Sequence, residues 1–210
     1  NGFKNTIHPE ALEEPLKWRK ASVVFVCSMG DLFHEDVPFE FIDNVMDVIS
    51  KTPQHTYQLL TKRAERMAEY FSSRLIPQNV WLGVTVEDTL TKYRIDFLRN
   101  LSAQVKFLSC EPLLCDLGEL DLEGVDWIIV GGESGPIARP MKEEWVLNIK
   151  RQAEQKSIPF FFKQWGTWSK EGVKGNKKKN GKLLQGEVIQ QMPKVVHENF
   201  RNKDQTKFWE

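Results

Sequence analysis

The residues of this chain best suited to chemistry stand just behind short apolar runs. Ser28-Met29-Gly30-Asp31 follows VVFVC at 23–27, Thr61-Lys62-Arg63 follows TYQLL at 56–60, and Glu87-Asp88 lies just beyond VWLGV at 80–84. Glu111 stands two residues behind VKFLS at 105–109, Gly131-Gly132-Glu133-Ser134-Gly135 closes WIIVG at 127–131, and Gln164-Trp165 follows PFFFK at 159–163, whose last residue is Lys163. Cations such as Lys62, Arg63, Arg139 and Lys163 bind carboxylates and phosphates. Carboxylates such as Glu87 and Glu111 accept hydrogen bonds from hydroxyls and amines, or act as acid or base. Glycine turns such as Gly30 and 131–135 let backbone N–H groups come close to an anion.

Each residue also has an ordinary alternative. Asp31 can hydrogen-bond its own turn, His34 can be a satisfied loop residue, and Asp88 reads best as a helix cap. Lys62 and Arg63 can be solvated charges, but a helix N-terminus is already partly positive, which favours a ligand role for them. The glycines at 131–135 fit neither the dinucleotide fingerprint nor the phosphate loop. Trp165 can stack on a base or cap a barrel. Cys110 and Cys115 lack further ligands at zinc-site spacing, and Cys27 reads as core, so no metal site is expected from this chain.

The runs are continuously apolar, as strands covered on both faces are, and most intervals between them have room for a helix. The expected fold is α/β: an incomplete (β/α) TIM-like barrel of parallel strands over 1–168, then a flexible basic loop at 169–182 and a C-terminal tail or small hairpin at 183–210. In such barrels the active site gathers at the C-terminal strand ends. Asp36 as N-cap and Pro38 as an early-turn proline should start a helix bearing Phe41, Ile42, Val45, Met46 and Ile49. Asp88 should cap another whose Leu90, Tyr93, Phe97, Leu98 and Leu101 share a face. Met67, Tyr70 and Phe71 mark a third, and Met141, Trp145, Ile149 and Ala153 a fourth. Pro112 and Gly118 break the leucines between 113 and 122 into an irregular crossover. The lysine-rich stretch KEGVKGNKKKNGK at 170–182 cannot bury a core and should be mobile.

With 29 basic and 29 acidic side chains, the chain has no global field that argues for nucleic acid or an anionic membrane. No apolar stretch nears the roughly 20 residues of a membrane span, and the start lacks a signal-peptide layout, so a cytoplasmic location is expected.

The strings SMGDLFHEDVP, TPQHTYQLLTKR, NVWLGVTVED, FLSCEPLL, DWIIVGGESGPIARPM and PFFFKQWG, in that order, closely resemble the phage Gp37/Gp68 family, a domain of unknown function. The likeness runs from about residue 16 through 165 and into the tail KKKNGKLLQGEVIQQMP. Members usually carry a further first strand and a GC-x-x-x-S-x-G-C-x-x-C loop, similar to the loop by which radical S-adenosylmethionine enzymes hold a [4Fe–4S] cluster. The resemblance implies that Ser28, Met29, Gly30 and Asp31 lie near the methionyl amine, Glu87 near the ribose, and Gly131, Gly132, Glu133 and Ser134 near the adenosyl or methionyl portion. Lys62, Arg63, Glu111, Arg139, Lys163, Gln164 and Trp165 would line a substrate cavity.

No cysteine precedes Cys27, so the three-cysteine loop is absent from this sequence. S-adenosylmethionine and a [4Fe–4S] cluster are implied for a full-length relative. This chain is expected to hold no cluster and to perform no radical chemistry by itself. The rival reading is a non-catalytic, nucleic-acid-associated module that binds phosphates and bases through 170–182 with Trp165 and Trp168.

Overall fold

A computed structural model describes residues 6–194 and 206–209. The six runs become β1 (Val23–Val26), β2 (Thr56–Thr61), β3 (Val80–Thr85), β4 (Val105–Cys110), β5 (Trp127–Gly131) and β6 (Phe160–Gln164). They lie side by side in sequence order, each neighbouring pair parallel, and curl into an open half-barrel. Helices α1 (Phe39–Lys51), α2 (Ala64–Phe71), α3 (Arg94–Arg99) and α4 (Glu143–Gln155) fill four of the crossovers.

Continuous apolarity has a separate cause on each face of the sheet. Val24, Tyr57, Leu59, Leu82, Val84, Leu108, Ile128, Val130 and Phe162 join the helices in the main core. On the concave face Trp81, Val105, Phe107 and Trp127 form a second cluster, with Leu60, Ile129 and Phe161 packed against it. A Cβ at Gly83 would sit 2.3 Å from the Phe107 ring, so this strand glycine makes room for the aromatic plug.

Two helix starts differ from expectation. Asp36 caps nothing: the N-cap of α1 is Pro38, extended at ψ 145°, with no side-chain cap. The proline therefore ends the preceding turn rather than starting the helix. Asp88 does cap, but only a single 3₁₀ turn at Thr89–Thr91, through a capping box with Thr91. That turn advances three residues per revolution rather than 3.6, which shifts the phase of the helix behind it. Leu90 is left 83% exposed, Tyr93 is 44% exposed, and Ile95 and Leu98 become the buried pair of α3.

The β4–β5 crossover is irregular, with Gly118 and Gly124 at positive φ. Leu113, Leu117, Leu120 and Leu122 are buried all the same. Gln152 of α4 ties the crossover down, its Nε2 donating to Gly118 O at 2.9 Å and its Oε1 accepting from Leu120 N at 2.8 Å.

Both sheet edges are covered by later chain. A hairpin of β7 (Leu183–Leu184) and β8 (Glu187–Val188) leads to an antiparallel bridge between Phe161 and Gln190. Beyond β1, a seventh strand β9 (Thr206–Trp209) pairs in parallel, Val23 opposite Thr206. The hairpin lies within the stretch 183–210 read as a tail or small hairpin, β9 was not foreseen, and 195–205 and 210 lie outside the described residues. The lysine-rich segment carries one helical turn, α5 (Lys177–Asn180), capped by the Asn176 side chain. No described helix is long and apolar enough to cross a membrane.

Candidate functional site

Successive side chains along a strand alternate between faces, so every second residue at the strand ends enters the concavity. From β2 comes Lys62, from β3 Glu87, from β4 Ser109 and Glu111, and from β6 Lys163. Lys62 Nζ donates to Glu87, whose second oxygen accepts from Arg94 Nη1 at 2.7 Å. Lys163 Nζ lies 3.0 Å from Glu111 Oε2, and Ser109 Oγ donates to Glu111 Oε1 at 3.2 Å.

The two carboxylates are sunken, at 12% and 16% exposure, whereas both lysines are 52% exposed. This is the usual disposition of long cationic stems, which bury their methylenes and keep the amine in water. Gly131 serves the same site: a Cβ there would come within 2.8 Å of Glu111 Oε2.

Asp31 works outside this pair. Its carboxylate accepts from Thr61 Oγ1 at 2.7 Å, from the backbone N–H of Phe33 and Lys62, and from Arg63 Nη1 at 3.0 Å. It pins the β1 turn to the end of β2, and Arg63 is engaged there rather than in the concavity. Ser28, Met29 and Gly30 form an exposed lip, with Met29 79% exposed.

The glycine turn is explained mostly by chain packing. A Cβ on Gly132 would lie 2.0 Å from Trp165 O, and one on Gly166 would lie 2.2 Å from Glu133 O. The ends of β5 and β6 are thus pressed together, with Gly132 N donating to Gln164 O at 2.9 Å. Glu133 is clamped by Arg139, accepting from Nε at 2.8 Å, from Nη2 at 2.7 Å and from the Arg139 backbone N–H. The guanidinium hydrogen bonds hold its carboxyl down at about 2. Ser134 is exposed on the turn and Gln164 is half-buried. Trp165 is 2% exposed, its ring against Phe162 and its indole N–H donating to Leu183 O, so it caps the barrel under the hairpin.

Lys62 thus pairs with Glu87, and Lys163 with Glu111 beside Gly131, while Asp31 and Arg63 pin the β1 turn, Trp165 is buried under the hairpin, and the Glu133–Arg139 pair lies within electrostatic reach of Lys62 and Glu87. Sequence reasoning missed Arg94 and Ser109, and named Thr61 without a role. Arg94 had a signal: a cation at the start of a helix, where the dipole disfavours it.

A cluster does not fit the cysteines present. Cys110 is fully buried in the helix-facing core, where burial pushes its thiol well up, away from the thiolate that binds iron. Cys27 and Cys115 are half-buried on other segments. No group of three His, Cys, Asp or Glu side chains among the described residues is placed to hold a metal ion.

A parallel half-barrel of β and α elements with ionic side chains at the C-terminal strand ends places this protein in the TIM-barrel-like class. Within it, the chain belongs to the DUF5131 family, described as a protein of unknown function, which matches residues 2–193. No curated protein and no solved structure matches the chain.

Proposed function

We propose that the concavity is the ligand-binding half of a radical S-adenosylmethionine-type barrel and that it binds the methionyl and ribose portions of S-adenosylmethionine. The carrying observation is the pairing of sunken carboxylates with exposed ammonium groups, Glu87 with Lys62 and Glu111 with Lys163, at the ends of β2, β3, β4 and β6. A zwitterionic ligand finds both charges answered there. Glu111 would take the ligand's ammonium group, Lys62 and Lys163 its carboxylate, and Glu87 the ribose hydroxyls, with Ser28–Gly30 as the lip beside them. S-adenosylmethionine brings a sulfonium whose carbon–sulfur bond breaks on one-electron reduction. Because the described cysteines do not fit a cluster, the proposal assigns binding to this chain and no radical step. The phage affiliation rests on the string resemblance and belongs to the same proposal.

Calorimetric titration of the purified chain with S-adenosylmethionine tests this reading. One-to-one binding is expected, at least about tenfold weaker in Glu111→Gln through loss of one charge-assisted contact. Adenosine alone should bind weakly to both proteins. The absence of heat and of any thermal shift at millimolar S-adenosylmethionine, with the protein folded by circular dichroism, would overturn it.

A further inference from the structure

The lysine-rich segment is fastened to the mouth of the concavity. Between 170 and 182 there are six lysines and one glutamate. Gly175 N donates to Thr167 O at 2.8 Å, Asn180 Nδ2 donates to Gly166 O and Thr167 O, and Lys174 Nζ donates to Pro136 O at 2.8 Å. Trp165 N donates to Gly181 O at 3.1 Å. The segment is thereby fixed against the glycine turn and the end of β6, with Lys177, Lys178 and Lys179 exposed on α5. Lys174 and Lys182 commit their ammonium groups to the fastening, the latter to Gln190 Oε1 at 3.0 Å, which leaves those of Lys177, Lys178 and Lys179 to face a ligand.

Two half-buried tryptophans flank it, each with a lysine over its ring. Lys174 Nζ is 5.8 Å from the Trp168 centroid, and Lys142 Nζ is 5.5 Å from that of Trp145. Trp145, Met141 and Lys142 at the start of α4 share an open surface groove with Lys170 and Gly172. Glu143 and Glu144 also border it, and Glu144 pairs with Lys142 at 3.7 Å. These carboxylates repel phosphates from the α4 side and leave the lysine side for them.

We propose that this surface binds single-stranded nucleic acid, with phosphates along Lys177–Lys179 and a base stacked on Trp145, and that the strand is the substrate presented to the concavity. The presentation step rests on the proposed ligand-binding reading; the binding surface does not. Cationic groups with flat aromatic faces beside them are the common means of holding a single strand without sequence preference. An acidic peptide has no use for the aromatic faces. A bilayer would need an apolar stripe, and the segment offers only Val173.

Fluorescence anisotropy of labelled oligo-dT and oligo-U of about 15 nucleotides, titrated with the full chain across salt concentrations, tests this. Affinity should fall steeply with salt. Replacing Lys177, Lys178 and Lys179 together by Gln should lower the log–log slope by about 2, at ~0.7 per phosphate contact. Trp145→Leu should weaken binding about tenfold with the slope unchanged. The triple lysine variant should bind S-adenosylmethionine as the parent does.

No salt-dependent binding by the parent chain overturns the proposal. So does heparin or an anionic vesicle binding as tightly as the oligonucleotides, with Trp145→Leu indifferent. Oligonucleotide binding that persists while the parent ignores S-adenosylmethionine supports the surface and severs only its link to the concavity. If S-adenosylmethionine binds and oligonucleotides do not, the surface alone falls.

Discussion

Glu133 and Arg139 are six positions apart in sequence and read separately as a cofactor contact and a cavity cation, yet the turn between them closes each on the other. Sequence spacing identified both as special and could not show that they neutralise one another, because that depends on the turn's path. The pair has a pH signature. Its carboxyl lies at about 2 in the folded chain against an ordinary 4.5, so the folded state binds fewer protons than the unfolded one across that range. The stabilisation is therefore fully present above about 4.5 and is lost as pH falls toward 2. With Glu133 24% exposed and Arg139 58% exposed, solvent screening limits the pair to about 1 kcal/mol. Glu133→Gln should be less stable than the parent by that amount in urea unfolding near neutrality, and the gap should close through the acid range. A gap that is unchanged in acid counts against the pair as its source.

At the level of elements, strands were legible and helix phase was not. Six apolar runs gave six strands because burial on both faces leaves a strand little choice but to be apolar throughout. The third crossover failed where a 3₁₀ turn preceded α3, since one residue of phase moves Leu90 from core to solvent. Gly83 was hidden for a related reason: what it faces comes from β4, through the pairing of Gly83 with Phe107. Gly83→Ala is expected to cost about 1–3 kcal/mol in chemical denaturation by overpacking the plug. Phe107→Leu in the same chain should recover part of it, because the smaller side chain clears the 2.3 Å approach. No loss in the single variant would mean that the ring moves aside freely.

For the molecule as a whole, the sheet edges were the least legible feature, since edge cover is decided by residues far away in sequence. β9 shields β1, and the 189–191 segment shields β6 through Phe162 N to Ile189 O at 2.8 Å and Gln191 N to Phe160 O at 3.1 Å. A chain ending at 194 would bare the backbone of β1, and unpaired edges template association. It should therefore give higher-mass species in light scattering, whereas a monodisperse product of unchanged melting temperature would show β9 to be dispensable. The local basic excess at 170–182 was legible despite the neutral overall composition, because its counter-charges lie elsewhere in the chain; the hydrogen bonds that fasten it were not. The aromatic plug of Trp81, Phe107 and Trp127 has one more consequence. It closes the concavity at the end of the strands away from Glu87 and Glu111, so a ligand meets the ionic rim and not the sheet beneath it. Under the two proposals above, a strand held at the lysines would offer this concavity a free end or one unit swung out of line.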